Sequence, residues 1–347
     1  MNISIVTVYD ALNVGAYLQA YGLHKFLSDK GHDVTFLQNK SHNSTTELFK
    51  KALSYLLRGK VEKFRVYHKS YLNFKKDQSL FEILPNTKEN EKKQDLIILG
   101  SDEIWNISRR AMSDYPVFWG VGVNNNNIIS YAPSSNNSTK NDVEKFPYAI
   151  EGLHKLKKIS VRDFASKRLI EKFTDKEVSL VCDPTMLLDV EVYDELITKC
   201  KDTDYILVYD PYNRFSQEER LDAKKYAKSK GKKLISMGAY LPWCDKSIPA
   251  SASSFLTYFK NADIVFTSTF HGTMFSLIFN KNFVIFSSAG TKVIETLDYF
   301  GLKERVLNKE RTVSTLSDVD VPFEIVNPVI SEFKEKSRQY LIKALKK

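Results

Sequence analysis

The sequence predicts an α/β protein with two similar halves, and three observations support this fold class. The chain has 347 residues, which exceeds the ~250–300 residues over which a single hydrophobic core usually extends. Short apolar segments alternate with amphipathic segments, as in parallel strands joined by helices. The alternation is interrupted at 41–94, and a second half with the same alternation begins near residue 205. We therefore expect an N-terminal domain at 1–187, a C-terminal domain at 188–327, and a last helix at 328–347 that packs back on the body.

In the first half, six apolar segments are predicted to form strands: 3–8, 33–38, 95–99, 127–131, 158–161 and 178–182. The first helix is predicted from Ala16 to Ser28, and Lys30-Gly31 gives it a stop signal. Its apolar face consists of Ala16, Ala20, Leu23 and Leu27, which recur at helical spacing. Residues 41–94 interrupt the alternation with aromatic and basic helical segments. We expect a basic helical insertion in the first domain there.

In the second half, strands are predicted at 205–209, 233–236, 264–267 and 283–286. A capping box, Ser216 with Glu219, places a helix start at Gln217. Further helices are predicted at 255–261, from Thr269 or Phe270 onward, and at 292–300. This half therefore has the same strand–helix alternation as the first.

The positive charge of the chain is local. Lys and Arg number 51 against 42 Asp and Glu, for a net charge of +9. Residues 41–94 hold 12 basic and 6 acidic residues, and residues 331–347 hold 6 and 2, so the rest is nearly neutral. A nucleic-acid enzyme usually lines its cleft with basic residues, so we expect no nucleic-acid partner. Two interpretations of these patches remain open: solvated helix faces, or peripheral contact with an anionic membrane surface.

The sequence lacks several patterns that would indicate secretion, a membrane-spanning helix, disulfides or a bound metal. The chain begins with an apolar strand, without the pattern of a signal peptide, and has no apolar run long enough for a spanning helix. Three widely spaced cysteines exclude a disulfide framework. We therefore expect a cytoplasmic protein, with contact at the inner face of the membrane as the open alternative. The histidines lack metal-ligand spacing and no Walker A sequence is present, so neither a metal nor a cofactor is expected.

Two loops of the first half carry polar residues where predicted strands end, which is where ligands bind in parallel sheets. After the first strand, Asn13 and Gly15 open a helix whose N–H groups could receive an anion or sugar oxygens. An ordinary turn capped by Asn13 is the alternative. After the third strand, Asp102 and Trp105 combine a carboxylate with a flat apolar face, which suits sugar binding. A capped turn with Trp105 in the core is the alternative.

Two further strand ends hold charged residues. Arg162 leaves a buried-looking strand, where a guanidinium is costly unless it is paired or faces a ligand. Asp163 is the obvious partner for a purely structural pair. For Asp183, which follows the next predicted strand, we favour a structural role.

The strongest signal is the stretch 265–273, in which a strand turns directly into a helix. Ser268, Thr269, Phe270, Gly272 and Thr273 surround a histidine, His271, in this turn. Hydroxyl groups and first-turn N–H groups can hold a phosphate or carboxylate, and Gly272 lets a ligand approach the backbone. His271 is then placed for acid–base work on an anionic substrate, and Lys292 after the next strand could close over the same anion. A core histidine is the alternative.

Together these loops resemble the polysaccharide pyruvyl transferase family. The matching stretches, in order, are 13–21 (NVGAYLQAY), 100–106 (GSDEIWN), 130–134 (SYAPS), 160–163 (SVRD), 183–188 (DPTMLL) and 269–273 (TFHGT). Two positions depart from the usual pattern: Thr269 stands where the family often has Ser, and Lys292 where it often has Arg. The second departure removes a bidentate anion contact, because Lys acts as a point charge.

The resemblance implies two Rossmann-like domains of the glycosyltransferase-B type and a pyruvyl transfer from phosphoenolpyruvate to two hydroxyls of one sugar, forming a ketal. It assigns Arg162 and His271 to the donor site, with phosphoenolpyruvate as co-substrate and a glycan or lipid-linked oligosaccharide as acceptor. We expect His271 to be the acid–base residue, with Asp10 and Asp102 as weaker candidates for orienting the acceptor or for a second base. The alternatives are a nucleotide-sugar-dependent glycosyltransferase of the same architecture and a catalytically inactive sugar-binding module.

Overall fold

A computed structural model describes residues 1–38 and 45–346; the side chains of 45–49 and 51 lie outside this description. Backbone contacts divide the chain into two compact units. The first unit comprises Met1–His42, Gln78–Leu188 and Ile330–Lys347, and the second comprises Asn43–Asp77 and Asp189–Val329. The predicted insertion at 41–94 is thus divided, because its helical part up to Asp77 groups with the second unit.

The strands of the first unit are β1 (Asn2–Val6), β2 (Asp33–Leu37), β3 (Ile83–Leu84), β4 (Leu96–Leu99), β5 (Ile128–Ser130), β6 (Ile159–Val161) and β7 (Val178–Leu180). Those of the second unit are β8 (Tyr205–Tyr209), β9 (Lys233–Met237), β10 (Lys246–Ile248), β11 (Ile264–Thr267) and β12 (Asn282–Ile285). Each strand predicted from the apolar segments is confirmed to within a few residues. The short strands β3 and β10 were not predicted, because two or three residues give too little pattern to recognise.

The helices, in chain order, are α1 (Val14–Ser28), α2 (Thr45–Leu57), α3 (Val61–Gln78), α4 (Lys88–Lys92), α5 (Arg110–Ser113), α6 (Lys140–Glu144), α7 (Pro147–Lys155), α8 (Phe164–Ile170), α9 (Val190–Asp194), α10 (Gln217–Ser229), α11 (Ala252–Asn261), α12 (Phe270–Ile278), α13 (Thr291–Tyr299), α14 (Val313–Ser317) and α15 (Phe323–Leu345). None of the helices in the described ranges is long and apolar enough to cross a membrane. The predicted apolar face of α1 is confirmed, since all four of its residues are buried.

The first unit contains a parallel sheet in the order β3-β2-β1-β4-β5. A parallel bridge between Ile129 and Lys158 continues it to the pair β6-β7. Its central strands β1 and β4 are apolar and buried along almost their whole length, as expected where helices cover both faces. The C-terminal part of α15 joins this unit, where Ser337 Oγ accepts from Cys182 N at 2.8 Å and the Tyr340 hydroxyl donates to Ser130 O at 3.0 Å.

The second unit repeats the plan with a parallel sheet in the order β10-β9-β8-β11-β12. The strand β11 lies between β8 and β12, and its last residue, Thr267, is in register with Tyr209 and Ile285. The loops that follow these three strands therefore leave the sheet at one edge. The capping box predicted at Ser216 is present and starts α10 at Gln217, as expected.

Candidate functional site

The loop between β11 and α12 is the first element of the candidate site. Thr269 caps α12, with its hydroxyl accepting from Gly272 N at 3.0 Å. Thr267, at the end of β11, accepts from Thr269 N at 3.1 Å and donates to Tyr209 O at 2.8 Å. These bonds fasten the start of the helix to two neighbouring strands, which gives the loop a fixed geometry.

Two residues that we expected to meet a ligand also have a structural role in this turn. A Cβ atom on Gly272 would lie 2.3 Å from Thr267 Oγ1, so the glycine allows α12 to pack closely against the end of β11. This close approach is a structural reason for the glycine, and its contact with a ligand stays a prediction. Thr273 is fully buried, and its hydroxyl donates to Thr269 O at 3.0 Å. Its hydroxyl therefore serves the first turn of the helix.

The remaining residues of the loop form a polar surface at the start of α12. Ser268 is 3% exposed, and its hydroxyl has no hydrogen-bond partner among the described residues. His271 is half-buried in the first helical turn, edge-on to the ring of Phe270 at 5.7 Å. Lys292, in the first turn of α13, places Nζ 4.7 Å from the centre of the Phe270 ring. The Lys292 ammonium group and the His271 imidazole therefore both contact the ring of Phe270 at the amino end of α12.

This end of α12 is electrostatically suited to an anion. The amino end of a helix carries a partial positive charge, and its first N–H groups point outward along the axis. Ser268 adds a hydroxyl, and Lys292 adds a full positive charge on the neighbouring ring. A phosphate or carboxylate bound there would have a titratable imidazole, His271, as its neighbour.

In the first unit, the predicted site residue Arg162 is the centre of a buried ion cluster. Its side chain is 1% exposed, with Nη1 at 2.6 Å from Asp183 Oδ2 and Nη2 at 3.1 Å from Asp102 Oδ1. Burial disfavours the guanidinium charge, but the carboxylates of Asp183 and Asp102 outweigh it and hold the pKa of Arg162 above its ordinary value. Asp163 is not the partner: it caps α8, accepting from Ser166 N at 2.8 Å.

Asp102 is the member of this cluster that reaches solvent, because its side chain is 17% exposed while that of Asp183 is 0% exposed. Its backbone has a positive φ of 68°, which few non-glycine residues adopt, and its carbonyl accepts from Ser134 N at 2.7 Å. Strained backbone of this kind often marks functional positions. The structure thus presents a carboxylate with a fixed direction at the end of β4.

Trp105 takes the core role that the sequence left open. Its indole is fully buried, stacks on Trp119 at 5.0 Å, and donates from Nε1 to Phe118 O at 2.9 Å. No face of the ring is left for a sugar, so its expected acceptor contact is not supported by this geometry. Since a large aromatic side chain is commonly buried, only the long-range contact with Trp119 could distinguish the two roles.

The loop after β1 also follows the structural alternative in part. Asn13 caps α1, accepting from Gly15 N at 2.9 Å, and this cap explains why the helix starts two residues before the predicted Ala16. Gly15 is buried within that first turn. Asp10 is half-buried in the loop between β1 and α1, and β1 pairs with β4. It is therefore the second carboxylate, with Asp102, at the ends of two adjacent strands.

A buried polar network that sequence reasoning missed supports the Asp102 loop. Gln19 of α1 accepts from the Ser101 hydroxyl, and Thr7 donates from Oγ1 to Ser101 O at 3.0 Å. Gln19 also donates to Ala16 O at 2.8 Å. All three side chains are buried, so this network fixes the residue that precedes Asp102. A glutamine on the apolar face of a predicted helix was the available signal.

The loop after β8 was also missed as a candidate. Tyr212 is 58% exposed, and the guanidinium of Arg214 lies 4.6 Å from its ring centre. Because β8 pairs with β11, this aromatic and basic pair leaves the sheet at the same edge as His271. The strand at 205–209 and the helix start at Gln217 were predicted from the sequence, and no pattern in the loop between them marked this pair.

A basic groove in the first unit, of about 860 Å³, is lined by β7 and α15. Several of its lysines are bound within the protein: Lys158 donates to Lys343 O at 2.7 Å, and Lys176 donates to His154 O at the same distance. Lys336 pairs with Glu332 at 2.6 Å. In the C-terminal basic patch at 331–347, Lys334 also donates to Leu188 O at 2.7 Å and Arg338 to Leu187 O at 2.9 Å, so three of its basic side chains are bound within the chain. Within residues 1–38 and 45–346, no group of three or more His, Cys, Asp or Glu could hold a metal ion.

Comparison with solved structures gives the class of fold. UDP-GlcNAc 2-epimerase from Methanocaldococcus jannaschii is 11% identical, with 99% of each chain covered and a TM-score of 0.53. The same enzyme from Neisseria meningitidis is 9% identical over 99% of each chain, with a TM-score of 0.53. A putative enzyme of this kind from Listeria monocytogenes is 8% identical over 97% of this chain and 90% of that one, also with a TM-score of 0.53. The protein has a two-domain, Rossmann-like α/β fold of the glycosyltransferase-B type, as predicted.

The sequence itself then identifies the family. A family model for polysaccharide pyruvyl transferase matches residues 13–290, which is most of the chain and includes Asp102, Arg162 and His271. The chain belongs to the polysaccharide pyruvyl transferase family. No curated protein sequence matches it.

Proposed function

We propose that this protein transfers the enolpyruvyl group of phosphoenolpyruvate to two hydroxyls of a sugar, forming a pyruvate ketal on a polysaccharide or its precursor. The observation that carries the proposal is the start of α12, where Ser268, His271 and Lys292 give an anion site with an acid–base residue. Membership of the family gives the reaction class. No metal or cofactor enters the proposed chemistry.

The donor, phosphoenolpyruvate, carries two anionic groups, a phosphate and a carboxylate. Helix N–H groups, a hydroxyl and an ammonium group are the donors that such a ligand requires. Lys292 and Ser268 supply the last two beside the first turn of α12. We assign the donor to this end of the second unit. The carry-over of Arg162 to the donor site stays a prediction, and it requires the guanidinium to exchange a carboxylate partner for the donor.

The proposed reaction balances with one acid–base group. A proton adds to the methylene carbon of phosphoenolpyruvate, and the central carbon becomes electrophilic. The first sugar hydroxyl attacks that carbon and loses its proton; the bond to phosphate breaks, and the second hydroxyl closes the ring and loses its proton. One of the two hydroxyl protons returns to the acid–base group that protonated the methylene carbon, and the other leaves with phosphate. His271 is proposed to carry the proton to the methylene carbon, because an imidazole side chain can both accept and donate a proton near neutral pH.

The acceptor is a polyol, and carboxylates accept hydrogen bonds from hydroxyl groups. In the first unit, Asp102 is held at 3.1 Å by Arg162 and reaches solvent, and Asp10 lies in the loop that follows the adjacent strand β1. We assign acceptor orientation to these two carboxylates. Asn13 and Gly15 shape the start of α1, and their direct contact with the acceptor stays a prediction.

The test is phosphate release from phosphoenolpyruvate that depends on a glycan. His271→Ala should lower turnover by about 10²–10⁴-fold, which is the usual contribution of a general acid–base residue. His154→Ala is the matched control, because His154 is an exposed histidine in α7 and should leave turnover unchanged. Release of a nucleotide from a nucleotide sugar would instead support the glycosyltransferase alternative. Near-normal turnover of His271→Ala would remove that residue from the mechanism.

A further inference from the structure

The two helices α2 and α3 form a hairpin whose tip is unusually apolar for an exposed position. We call residues 56–61 (Leu-Leu-Arg-Gly-Lys-Val) the hairpin tip. Leu57 is 79% exposed, Leu56 is 43% exposed and Val61 is 42% exposed. Leu53, one turn earlier, is 41% exposed. Four of the twelve large apolar side chains exposed in the described part of the chain thus lie within nine residues, so the tip is a patch and not a scatter of single residues.

The base of the hairpin is fixed, which makes the tip a defined structure. On α3, Ser70 accepts from Ala250 N at 2.8 Å, and Asn73 donates to Ala250 O at 3.1 Å. Asp77 accepts from Ala252 N at 2.8 Å. At the other end, Lys60 N donates to Tyr55 O at 2.9 Å and closes the turn. The far half of α3 is therefore fastened to the second unit, and the apolar residues stand at the opposite end.

The charge of the hairpin complements an anionic surface. Residues 45–80 contain nine Lys and Arg but only three Asp and Glu. Arg58 and Lys60 are exposed within the tip itself, next to Leu57 and Val61. One of the acidic residues, Glu62, is paired with Arg65 at 2.5 Å. Apolar side chains flanked by long basic ones are the composition of segments that lie at a lipid interface.

Two observations favour a lipid surface over a protein partner. The tip offers three or four apolar side chains, far fewer than the roughly 20–30 residues per side of a stable protein interface. A second copy of the chain would bring its own Arg58 and Lys60 against the same charges, and like charges oppose pairing. A bilayer needs no large complementary area, because each apolar side chain gains on entering the acyl boundary.

We propose that the hairpin tip docks this protein reversibly on an anionic lipid surface, with Leu56, Leu57 and Val61 entering the acyl boundary and Arg58 and Lys60 meeting the headgroup phosphates. The proposal assigns the docking to a specific turn, and it does not depend on the reaction that the protein catalyses. Of the two interpretations left open for the basic residues of 41–94, the proposal chooses contact with a membrane. The side chains of Lys51 and of residues 41–49, which belong to the same basic patch, lie outside the described part of the chain.

Vesicle flotation of the full chain tests the proposal. Vesicles of phosphatidylcholine with phosphatidylglycerol should bind the protein at low salt, and vesicles of phosphatidylcholine alone should bind it much less. Leu56→Ser with Leu57→Ser should lower the partition coefficient about tenfold or more, because two apolar side chains no longer insert. Arg58→Glu with Lys60→Glu should lower it similarly and weaken its dependence on salt.

Matched controls come from α10, which has exposed residues of the same types. Leu221 is 50% exposed, and Lys224 and Lys228 are exposed. Leu221→Ser and the pair Lys224→Glu with Lys228→Glu should leave binding unchanged. All variants replace exposed side chains, so their thermal midpoints should match that of the wild type. As a second measurement, the Trp emission of Leu57→Trp should shift to shorter wavelength on anionic vesicles, and that of Leu221→Trp should not.

Three results would overturn the proposal. The first is a wild-type chain that does not float with anionic vesicles at low salt. The second is a Leu56→Ser, Leu57→Ser variant that binds like the wild type, since docking would then involve another surface. The third is a dimer in sedimentation that disappears in this variant while lipid binding is absent, which would make the hairpin tip an interface between two copies.

Discussion

Replacing Arg162 with alanine tests whether the ion cluster of the first unit is structural. The guanidinium is 1% exposed, and it lies 2.6 Å from Asp183 and 3.1 Å from Asp102. Asp183 is fully buried, so alanine at position 162 leaves a carboxylate in the interior without its cation. Removing one member of a buried ion pair costs about 3–5 kcal/mol, much more than the pair contributes when intact.

Urea unfolding measures this effect. With an m-value of about 3 kcal/mol/M, the expected loss lowers the urea midpoint by about 1–1.7 M. Arg110→Ala is the matched control, because Arg110 pairs with Asp114 at 3.4 Å on the surface and its side chain is 92% exposed. An exposed pair of this kind contributes about 0.5 kcal/mol or less, so the urea midpoint of the control should be close to that of the wild type.

A double variant separates charge from packing. Asp183→Asn removes the carboxylate that alanine at position 162 would leave uncompensated. Arg162→Met with Asp183→Asn should therefore lose less stability than the two single changes added together, because the residues are in direct contact. An Arg162→Ala chain with an unchanged urea midpoint but weaker calorimetric binding of phosphoenolpyruvate would refute this reasoning, since the guanidinium would then serve the donor.

Three other outcomes are expected. Gly272→Ala should destabilise the second unit by about 1–3 kcal/mol, because the new Cβ meets the end of β11 at 2.3 Å. A Cβ at Gly290 meets nothing within 4 Å, so Gly290→Ala, which changes only the cap of α13, should cost less in urea unfolding. Lys292→Met should raise KM for phosphoenolpyruvate about tenfold in steady-state kinetics, with kcat less affected and Lys292→Arg near normal, because a hydrogen bond to an anion is lost. Burial holds the pKa of His24 below its ordinary value of 6.5. As pH falls below 6.5, His24 therefore gains a proton in the unfolded chain before it does in the folded protein, and the free energy of unfolding decreases. The free energy of unfolding of His24→Phe should depend less on pH between about 7 and 5 than that of the wild type.

The fold was predictable from the sequence because its signals are local. Apolar segments of the strand β11 and its neighbours are bounded by polar residues, and the face of α1 repeats at helical spacing. The capping box at Ser216 depends on a residue only three positions away, Glu219. Such patterns survive in the structure since each is decided within one turn or one strand. The exact start of α1 was missed because the cap of Asn13 places two more residues, Val14 and Gly15, in the helix before the apolar pattern begins.

The candidate site was less predictable because its contacts are distant in sequence. Arg162 meets Asp183, 21 residues away, and Asp102, 60 residues away, and no local pattern selects these partners over Asp163. Trp105 is likewise placed by its stacking on Trp119. Sequence identified the positions that gather at strand ends. It could not identify which of them are already bonded within the protein.

In the turn 267–273, capping and ligand binding compete for the same atoms, and this competition explains which predicted residues still suit a ligand. The hydroxyls of Thr269 and Thr273 are both engaged in the first turn, at 3.0 Å from Gly272 N and from Thr269 O respectively. Ser268 precedes the cap, and its hydroxyl has no partner in the described part of the protein. A buried hydroxyl without a partner costs free energy, and a bound anion would recover it. Under the proposed function, the hydroxyl-rich turn therefore divides into residues that build the helix start and one residue, Ser268, that is left to meet the donor beside His271.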